Sequence, residues 1–328
     1  MSRRKFGAVG VMAAAALLLS ACAGSASTSS SSAAGSGSAA AKSCGTQTIN
    51  IADNAWTGYN ADTAVVDYIL RNDLHCTTHL AKVNEQVSWQ GFPTGQIDVI
   101  LENWGHEDLA KKYITDQKVA VDLGPQGNQG IIGWYVPDWM AQQYPDILDW
   151  HNLNKYASLF KTSESGDKGQ LLDGDPSYVT NDVALVKNLN LNYKVVVGGS
   201  EAALITAMQA ATDHKTPLLF YFYEPQYALA KIKVDRVKLP PYTPGPTCDD
   251  PKLVACDYPP YTLNKVARAK WVDAGGPAVD FVKKFNWTND DQNQVAEYIA
   301  NEGMTDAQAA QKWVDANPTK WAAWLAAG

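Results

Sequence analysis

Segments typical of strands alternate with segments typical of helices from residue 48 onward, and this alternation constrains the fold more than any other feature. Residues 48–52 alternate isoleucine with polar side chains, whereas residues 61–70 carry apolar side chains at helical spacing. Residues 78–83 predict a second strand, and the nearly continuous apolar run 97–101 predicts a strand covered on both faces. This order predicts an α/β fold with mostly parallel sheets, flanked by helices and connected by right-handed crossovers.

The same alternation returns in the second half of the chain. Residues 194–197 and 218–223 predict strands, and Ser200 is a suitable N-cap for a helix over 201–211. Beyond the proline-rich segment 240–260 the pattern becomes helical. We therefore expect two α/β lobes joined by two chain crossings, which together form a hinged clamp around a cleft.

The positions of these segments predict the lobe boundaries. Lobe 1 is expected to comprise residues 44–137 and 240–328, and lobe 2 to comprise residues 138–239. Residues 46–326 together would form the folded domain. Ligands of such folds bind at the loops that follow the strand ends, so these loops are where functional residues are expected.

The N-terminus has the pattern of a secretory signal. Basic residues at 3–5 precede an apolar run at 8–19, which is too short to cross a bilayer comfortably. The run ends in Leu-Ser-Ala-Cys, which resembles the lipobox of bacterial lipoproteins. We expect residues 1–21 to be removed and the thiol of Cys22 to carry a diacylglycerol; an ordinary signal peptide with an incidental cysteine is the alternative.

The segment that follows the signal has no side chains suited to a core. Residues 22–43 are almost entirely Ser, Ala, Gly and Thr, which predicts a flexible tether. A lipid at one end and a folded domain at the other would hold the protein at the extracytoplasmic face of the cell membrane.

Four cysteines lie beyond the signal segment, and an even number in an exported chain predicts disulfides. We favour a bond between Cys248 and Cys256, because the Asp-Asp-Pro sequence between them is typical of a turn. Cys44 and Cys76 would then tie the start of the first strand to the end of the first helix. A metal site at residues 75–79 is the alternative, but the sequence offers no second cluster of ligands, and we expect no metal.

Five large aromatic side chains lie at or near the ends of predicted strands: Trp56, Trp104, Trp134, Tyr178 and Tyr223. An aromatic ring at an exposed strand end leaves apolar area in water unless something covers it. Several rings around one cleft would form a box of electron-rich faces, which attracts a weakly hydrated cation such as a trimethylammonium group. Core packing is the alternative for each of these residues.

The segments around these aromatics resemble those of the ABC-type glycine betaine, proline betaine and choline substrate-binding proteins (OpuAC-like). The resemblance extends from about residue 48 to 325. It rests on Trp-Thr-Gly-Tyr at 56–59, Asp-Val-Ile-Leu-Glu-Asn-Trp at 98–104, Gly-Trp-Tyr-Val-Pro at 133–137 and Tyr-Glu-Pro at 223–225. It implies a two-lobed periplasmic-binding-protein clamp of type II, with no catalytic residues and no cofactor.

The resemblance also implies roles for particular residues. The cage around the cation would comprise Trp56, Trp104, Trp134 and Tyr223, and Tyr178 would lie in a loop that supplies a further ligand contact. The implied partners are a small quaternary-ammonium ligand and the permease and ATPase subunits of an importer. The implied function is uptake of a compatible solute such as glycine betaine for osmoprotection, with choline or carnitine as the alternative ligand.

Two departures from the family pattern bear on the ligand. The late motif of the family commonly reads Trp-x-Pro-His, whereas residues 223–226 here read Tyr-Glu-Pro-Gln. Choline-binding members place an acidic residue two positions after the first Trp, where this chain has Gly58. The loss of that partner for a hydroxyl favours a betaine-like zwitterion over choline. Backbone N–H groups of Thr57 and Gly58, at a predicted helix start, would suit its carboxylate.

Other classes of function fit the sequence less well. A glycan-binding lipoprotein would also stack its ligand on tryptophan, and an exported hydrolase would need a nucleophile–base pair, which no motif here supplies. Residues 106–108, His-Glu-Asp, predict a solvated helix start rather than an acid–base or metal site. The formal net charge of −7 argues against nucleic acid as a partner, because phosphates bind to basic surfaces.

Overall fold

The computed structural model describes residue 44, residues 47–178 and residues 180–326. The predicted signal peptide, the predicted lipidation site Cys22 and the tether through residue 43 therefore lie outside the described residues. Within the described part of the chain, no helix combines the length and the apolar composition that crossing a membrane requires.

Nine strands within the described residues form one continuous sheet. They are β1 (Thr48–Asp53), β2 (Thr77–Lys82), β3 (Val99–Asn103), β4 (Ala120–Pro137), β5 (Gly169–Asp173), β6 (Tyr193–Val197), β7 (Phe220–Glu224), β8 (Val234–Arg236) and β9 (Tyr261–Arg268). Their order across the sheet is β2-β1-β3-β9-β4-β7-β5-β6, and β8 pairs with β4 beside this path.

Helices precede, follow and connect these strands. They are α1 (Thr57–Asn72), α2 (Glu85–Gln90), α3 (Glu107–Ala110), α4 (Asp138–Gln143), α5 (Leu153–Tyr156), α6 (Asp182–Asn188), α7 (Glu201–Asp213), α8 (Pro246–Asp249), α9 (Ala269–Ala274), α10 (Pro277–Lys284), α11 (Asn289–Ala300), α12 (Asp306–Ala316) and α13 (Pro318–Leu325). A π-helical segment, Lys111–Asp116, continues α3. Turns of 3₁₀ helix cover Pro145–Leu148, Trp150–Asn152, Ala157–Phe160 and Tyr227–Ala230.

The outer three strands of each half of the sheet run parallel. In the first half β1 is parallel to β2 and β3, with Thr48 opposite Thr77 and Ile51 opposite Val99. In the second half β5 is parallel to β6 and β7. The predicted strand–helix–strand units are thus present, because parallel neighbours need long crossovers between them. β9 runs antiparallel to β3, so the complete sheet is mixed.

One long strand, β4, joins the two halves. Its first part, residues 120–130, pairs antiparallel with β9, and its second part, residues 131–137, pairs with β7 and β8. The sequence pattern placed residues 131–137 in lobe 1, whereas their pairing attaches them to strands of the second half. A hydrophobic pattern shows that a segment is a buried strand, but it does not show which strand is its partner.

The segment 240–260 also contacts the second half. The hydroxyl of Tyr258 donates to Oδ1 of Asp182 in α6 at 2.7 Å. Arg236 in β8 forms an ion pair with Asp257 at 2.9 Å. The sequence analysis assigned this segment to lobe 1, but these two contacts connect it to α6 and β8.

Helix α1 anchors the first half. Its side chains Val65, Val66 and Ile69 are fully buried, and the burial of each contributes about 1.5–3 kcal/mol. Helices α11 and α12 pack against α1. Trp56 is the N-cap residue of this helix, so the same packing that fixes α1 also fixes the backbone of Trp56 at the end of β1.

Both predicted disulfides are present. Cys44 is bonded to Cys76 and Cys248 to Cys256, with Cα separations of 5.0 Å and 5.5 Å. The disulfide of Cys76 removes the thiol that the alternative metal site needed. Among the described residues, no group of three or more His, Cys, Asp or Glu side chains could hold a metal ion. The predicted N-cap is also confirmed, because Oγ of Ser200 accepts a hydrogen bond from the backbone N–H of residue 203 at 3.1 Å.

Candidate ligand-binding site

An aromatic pocket is lined by residues from both halves of the sheet. It holds about 410 Å³ of empty space, part of which is open to solvent. Trp56 follows β1 and Trp104 follows β3, whereas Tyr178 follows β5 and Tyr223 lies in β7. Strand ends of this kind are where α/β folds bind ligands. The other lining residues are Glu85, His106, Ile132, Tyr221 and Tyr261.

Four of the predicted aromatic residues form neighbouring walls of this pocket. The ring centroids of Trp56 and Tyr178 are 5.9 Å apart and the rings meet at 89°. Tyr178 meets Tyr223 at 88° and 6.1 Å, and Trp104 meets Tyr223 at 80° and 5.8 Å. Rings that meet nearly at right angles form the corners of a box instead of a stack, which is the geometry of an aromatic cage for a cation.

Two tyrosines of the lining were missed by the sequence analysis. The ring of Tyr221 lies 6.2 Å from that of Tyr223 and 6.4 Å from that of Tyr178. Tyr221 precedes Tyr223 by two residues in one strand, so the period of a strand could have placed both on one face. The ring of Tyr261 lies 5.7 Å from that of Trp104. Tyr261 begins β9, far along the chain, and no local pattern connects it to the pocket.

Gly130 leaves room for the indole of Trp104. A Cβ atom at residue 130 would lie 2.6 Å from Cζ3 of Trp104, a distance that real side chains do not reach without displacement. Glycine therefore lets β4 pass directly beside the indole. This close approach occurs where β4 changes its pairing from β9 to β7.

A single carboxylate oxygen fixes both indoles of the cage. Oε1 of Glu102 accepts hydrogen bonds from Nε1 of Trp56 at 3.0 Å and from Nε1 of Trp104 at 2.6 Å. Glu102 lies in β3 and is 1% exposed. Hydrogen bonds to an ionised acceptor are about twice as strong as neutral ones, so Glu102 holds the two rings in a fixed relative orientation. Glu102 lies two residues before Trp104, but the sequence analysis gave it no role.

The second oxygen of Glu102 is held by amide groups. Oε2 accepts from Nε2 of Gln292 at 2.9 Å, and Nε2 of Gln126 lies 3.5 Å away. Burial, and after it the charge of Glu102, raises the pKa of the neighbouring Asp62 well above its usual range. This raised pKa favours the protonated form of Asp62 beside the charge of Glu102. Gly58 packs against the same amide, because a Cβ there would lie 2.5 Å from Nε2 of Gln292.

Glu85 and His106 form a polar pair on the pocket wall. Nε2 of His106 lies 2.9 Å from Oε1 of Glu85, and each residue is only 9% exposed. Burial alone would lower the pKa of His106, but the hydrogen bond and the charge of Glu85 raise it above its ordinary value. The predicted helix start is present, and Glu107 and Asp108 are exposed as expected, but His106 itself is buried. The local pattern near α3 could not show that His106 is covered by a residue of α2.

A second carboxylate, that of Glu201, occupies the N-terminus of α1. Its Oε2 accepts from the backbone N–H of Thr57 at 3.0 Å and from the Thr57 hydroxyl at 2.6 Å. Its Oε1 accepts from the hydroxyl of Tyr223 at 2.6 Å and from Nε2 of Gln226 at 2.7 Å. The helix start that the sequence analysis predicted for a ligand carboxylate thus already holds a carboxylate of the protein.

Trp134, the fifth predicted aromatic, lies outside the pocket lining. It is fully buried, and its Nε1 donates to Oδ1 of Asp182 at 2.8 Å. The same oxygen accepts from the hydroxyl of Tyr258. Burial, and after it the charge of Asp173, raises the pKa of Asp182 to about 8. The structure therefore places Trp134 in the core of the second half, apart from the four aromatics that it brings together.

The chain matches a known protein family over most of its length. Residues 47–316 match the OpuAC family, described as the substrate binding domain of ABC-type glycine betaine transport systems. Among characterised proteins, the trimethylamine N-oxide-binding protein of Pelagibacter ubique (strain HTCC1062) is 24% identical over 247 residues. This alignment covers 73% of the present chain and 78% of that protein.

Solved structures share the fold. Lactococcal OpuAC, in a closed conformation with glycine betaine, has a TM-score of 0.64 and 20% identity, covering 85% of this chain and 100% of that chain. An ABC-transporter choline binding protein in complex with choline has a TM-score of 0.68 and 18% identity, covering 85% of this chain and 92% of that one. At such identities the likeness establishes the fold and leaves function to the site.

The fold and the pocket define a two-lobed binding protein of the periplasmic type, as the sequence predicted. The chain belongs to the OpuAC family of substrate binding domains of ABC-type transport systems. Proteins of this class bind a small ligand outside the cytoplasm and deliver it to permease and ATPase subunits; they are not enzymes.

Proposed function

We propose that this protein captures a small quaternary-ammonium solute for an ABC importer. Its cage would be formed by Trp56, Trp104, Tyr178 and Tyr223. The observation that carries the proposal is the box that these rings form, with both indoles fixed by Glu102. A trimethylammonium group is weakly hydrated, so it enters such a box at low cost and is attracted by each ring face.

The ligands of the relatives support this class. The family description names glycine betaine, the Pelagibacter protein is named for trimethylamine N-oxide, and the two solved structures contain glycine betaine and choline. These ligands share a compact methylated cationic nitrogen and differ in the polar group attached to it. The shared part matches the aromatic cage, and the polar part must be selected by other residues of the pocket.

The expected affinity follows from the number of rings. A cation over one aromatic face gains about 0.5–2 kcal/mol, with the upper end reached where water is excluded. Four faces, together with the charge of Glu102, support binding in roughly the micromolar range after the cost of association. The departures of this sequence from the family pattern favour a betaine-like zwitterion, and choline or carnitine is the alternative. The position of Glu201 affects the choice between these ligands.

The pocket is built for a closing clamp. Its walls come from both halves of the sheet, so a bound cation would contact both and would favour the closed form. We place the lobe boundary after residue 130, where β4 changes partners, which gives a second lobe of about 131–260. The first lobe would then comprise 47–130 and 261–326, and the closed clamp would be presented to the permease and ATPase subunits.

We further propose that the mature protein begins at Cys22 and is lipid-anchored at the extracytoplasmic face, where uptake of the solute would serve osmoprotection. The basic residues, the apolar run and the Ser-Ala-Cys sequence before the tether support the lipid anchor. Mass spectrometry of the N-terminal peptide would detect the diacylglycerol. Release of a Cys22→Ser variant from the membrane fraction is the expected result, and retention of that variant would contradict the anchor.

Calorimetric titration of the soluble domain with glycine betaine, choline and carnitine tests the ligand class. We expect saturable binding of at least one of them. Trp104→Ala should lose at least about 100-fold in affinity, as central aromatic anchors do. Trp150→Ala is a matched control, because Trp150 packs on His151 and does not line the pocket. A lack of binding to all three compounds and also to tetramethylammonium and trimethylamine N-oxide would contradict the proposal, and so would equal binding by both variants.

A further inference from the structure

The carboxylate of Glu201 lies between the N-terminus of α1 and the cage residue Tyr223. We propose that this carboxylate takes the place of a ligand carboxylate at the N-terminus of α1, so that the pocket selects cations without a carboxylate over betaines. The favoured ligands would carry a hydroxyl or an N-oxide instead. This inference rests on the proposed function, because it assumes that the aromatic cage holds the cation. It reverses the preference for a zwitterion that the sequence departures suggested.

The first argument is that both oxygens of Glu201 are fully engaged. Oε2 takes the backbone N–H and the hydroxyl of Thr57, at 3.0 Å and 2.6 Å. Oε1 takes the hydroxyl of Tyr223 and Nε2 of Gln226, at 2.6 Å and 2.7 Å. The residue is 6% exposed. Of the two backbone donors expected for a ligand carboxylate at this helix start, the N–H of Thr57 is therefore already used.

The second argument is the position of this carboxylate. Thr57 follows Trp56 directly, and Tyr223 is itself a ring of the cage. Glu201 thus contacts Tyr223, which belongs to the cage, and Thr57, which is adjacent to the cage residue Trp56. A carboxylate favours the positive end of a helix dipole, and α1 is a helix of 16 residues. A second carboxylate, brought by the ligand, would meet a helix end whose positive potential is already neutralised.

The third argument is the charge of the pocket. Glu85 lines it, Glu102 lies behind the two indoles, and Glu201 is bonded to Tyr223. Among the described residues that line the pocket there is no Lys or Arg, and His106 is already paired with Glu85. This surrounding attracts a cation and repels a carboxylate. A ligand hydroxyl, by contrast, could donate to Glu85, and an N-oxide could accept from His106 or a tyrosine hydroxyl.

Glu201 could instead serve only to hold the clamp closed, because it lies in α7 while Thr57 lies in α1. The two roles differ in their effect on the ratio of glycine betaine affinity to tetramethylammonium affinity. A closing contact changes the affinity for every ligand by the same factor. A substitute for the ligand carboxylate changes the affinity for glycine betaine relative to tetramethylammonium, which has the cation and no polar end.

The experiment is calorimetric titration of the wild-type protein and Glu201→Gln with four probes: tetramethylammonium, choline, trimethylamine N-oxide and glycine betaine. Glu302→Gln is the control, because it removes the same charge from an exposed residue paired with Lys312. We expect the wild-type protein to bind choline or trimethylamine N-oxide at least about tenfold more tightly than glycine betaine. Glu201→Gln should raise the ratio of glycine betaine affinity to tetramethylammonium affinity by about tenfold, and Glu302→Gln should leave it unchanged.

Two results would overturn this inference and leave the proposed function standing. One is tighter binding of glycine betaine than of choline and trimethylamine N-oxide by the wild-type protein. The other is an unchanged ratio in Glu201→Gln, which would make Glu201 a closing contact alone. If none of the four probes bound to the folded wild-type protein, the proposed function itself would fail, and the inference with it.

Discussion

The cluster of Glu102 at the pocket and the cluster of Asp182 in the core both pair tryptophan with a buried carboxyl group, yet they have different roles. Glu102 accepts from Trp56 and Trp104 at the pocket, whereas Asp182 accepts from Trp134 and from a tyrosine hydroxyl in the core. In both clusters the indole N–H is satisfied, as buried indoles require. Only in the first do the rings also face a cavity.

Each cluster also contains a carboxyl group with a raised pKa. Burial and the charge of Asp173 raise the pKa of Asp182 to about 8, so its carboxyl is mostly neutral at pH 7. At the pocket, burial and the charge of Glu102 raise the pKa of Asp62 well above its usual range. A charge behind the cage strengthens its attraction for a cation, whereas a charge in a closed core would only destabilise the fold. Similar hydrogen bonds thus support binding in one place and packing in the other.

Among the changes that keep every ring of the cage, the largest expected effect comes from neutralising Glu102 in the first cluster. Glu102→Gln should reduce the affinity for a quaternary-ammonium ligand by about 30-fold, roughly 2 kcal/mol. The reason is the loss of the charge, together with a new amide donor facing Gln292 and Gln126, which are donors themselves. Titration calorimetry measures this, with Asp182→Asn as the matched control. An equal loss in both variants would mean that the two clusters do not differ in function.

Removing the indole N–H from the second cluster should affect the fold more than the ligand. Trp134→Phe should lower the free energy of unfolding by about 1–2 kcal/mol, because it leaves a void and removes one of the two hydrogen bonds to Oδ1 of Asp182. Affinity for the ligand should stay within about twofold. Urea unfolding and calorimetry on one preparation check both numbers. A loss of affinity as large as that of Trp104→Ala would return Trp134 to the cage.

The close approach of β4 to the cage can be tested at Gly130. Gly130→Ala should push the indole of Trp104 away from its hydrogen bond with Glu102 and lower ligand affinity by about tenfold. Gly124→Ala is the control, since a Cβ there would meet nothing within 4 Å; its positive φ of 81° makes it a control for backbone strain. Unchanged affinity in Gly130→Ala would show that Trp104 can shift without loss.

The smallest expected effect concerns pH. The folded protein raises the pKa of His106 through Glu85, so protonation of His106 stabilises the folded state. This contribution is fully present below the ordinary histidine pKa of about 6.5 and is lost as pH rises through the raised folded value. Thermal unfolding of the wild-type protein and His106→Gln should therefore differ most at low pH, by about 1 kcal/mol, and converge as pH rises. A difference that grew with pH would contradict this.

Local sequence patterns predicted the helices and strands well, but they predicted poorly which distant residues contact each other. The strands, the helix capped by Ser200 and both disulfides follow from spacing and residue type, which are local properties. His106 was misjudged because the residue that covers it comes from another helix. Residues 131–137 were assigned to lobe 1, but their partner strand β7 lies far along the chain, in the second half.

The sequence by itself determined the α/β class and the family. Of the five aromatic residues that it predicted for the site, the structure brings four to one pocket. This could be predicted because strand ends gather at one edge of a sheet, so aromatics at several strand ends are expected to meet. Only the tertiary structure decided that Trp134 lies in the core, that Glu102 orients both indoles and that Glu201 reaches Thr57. Each of these depends on a hydrogen bond between distant parts of the chain, whose partners no local pattern specifies.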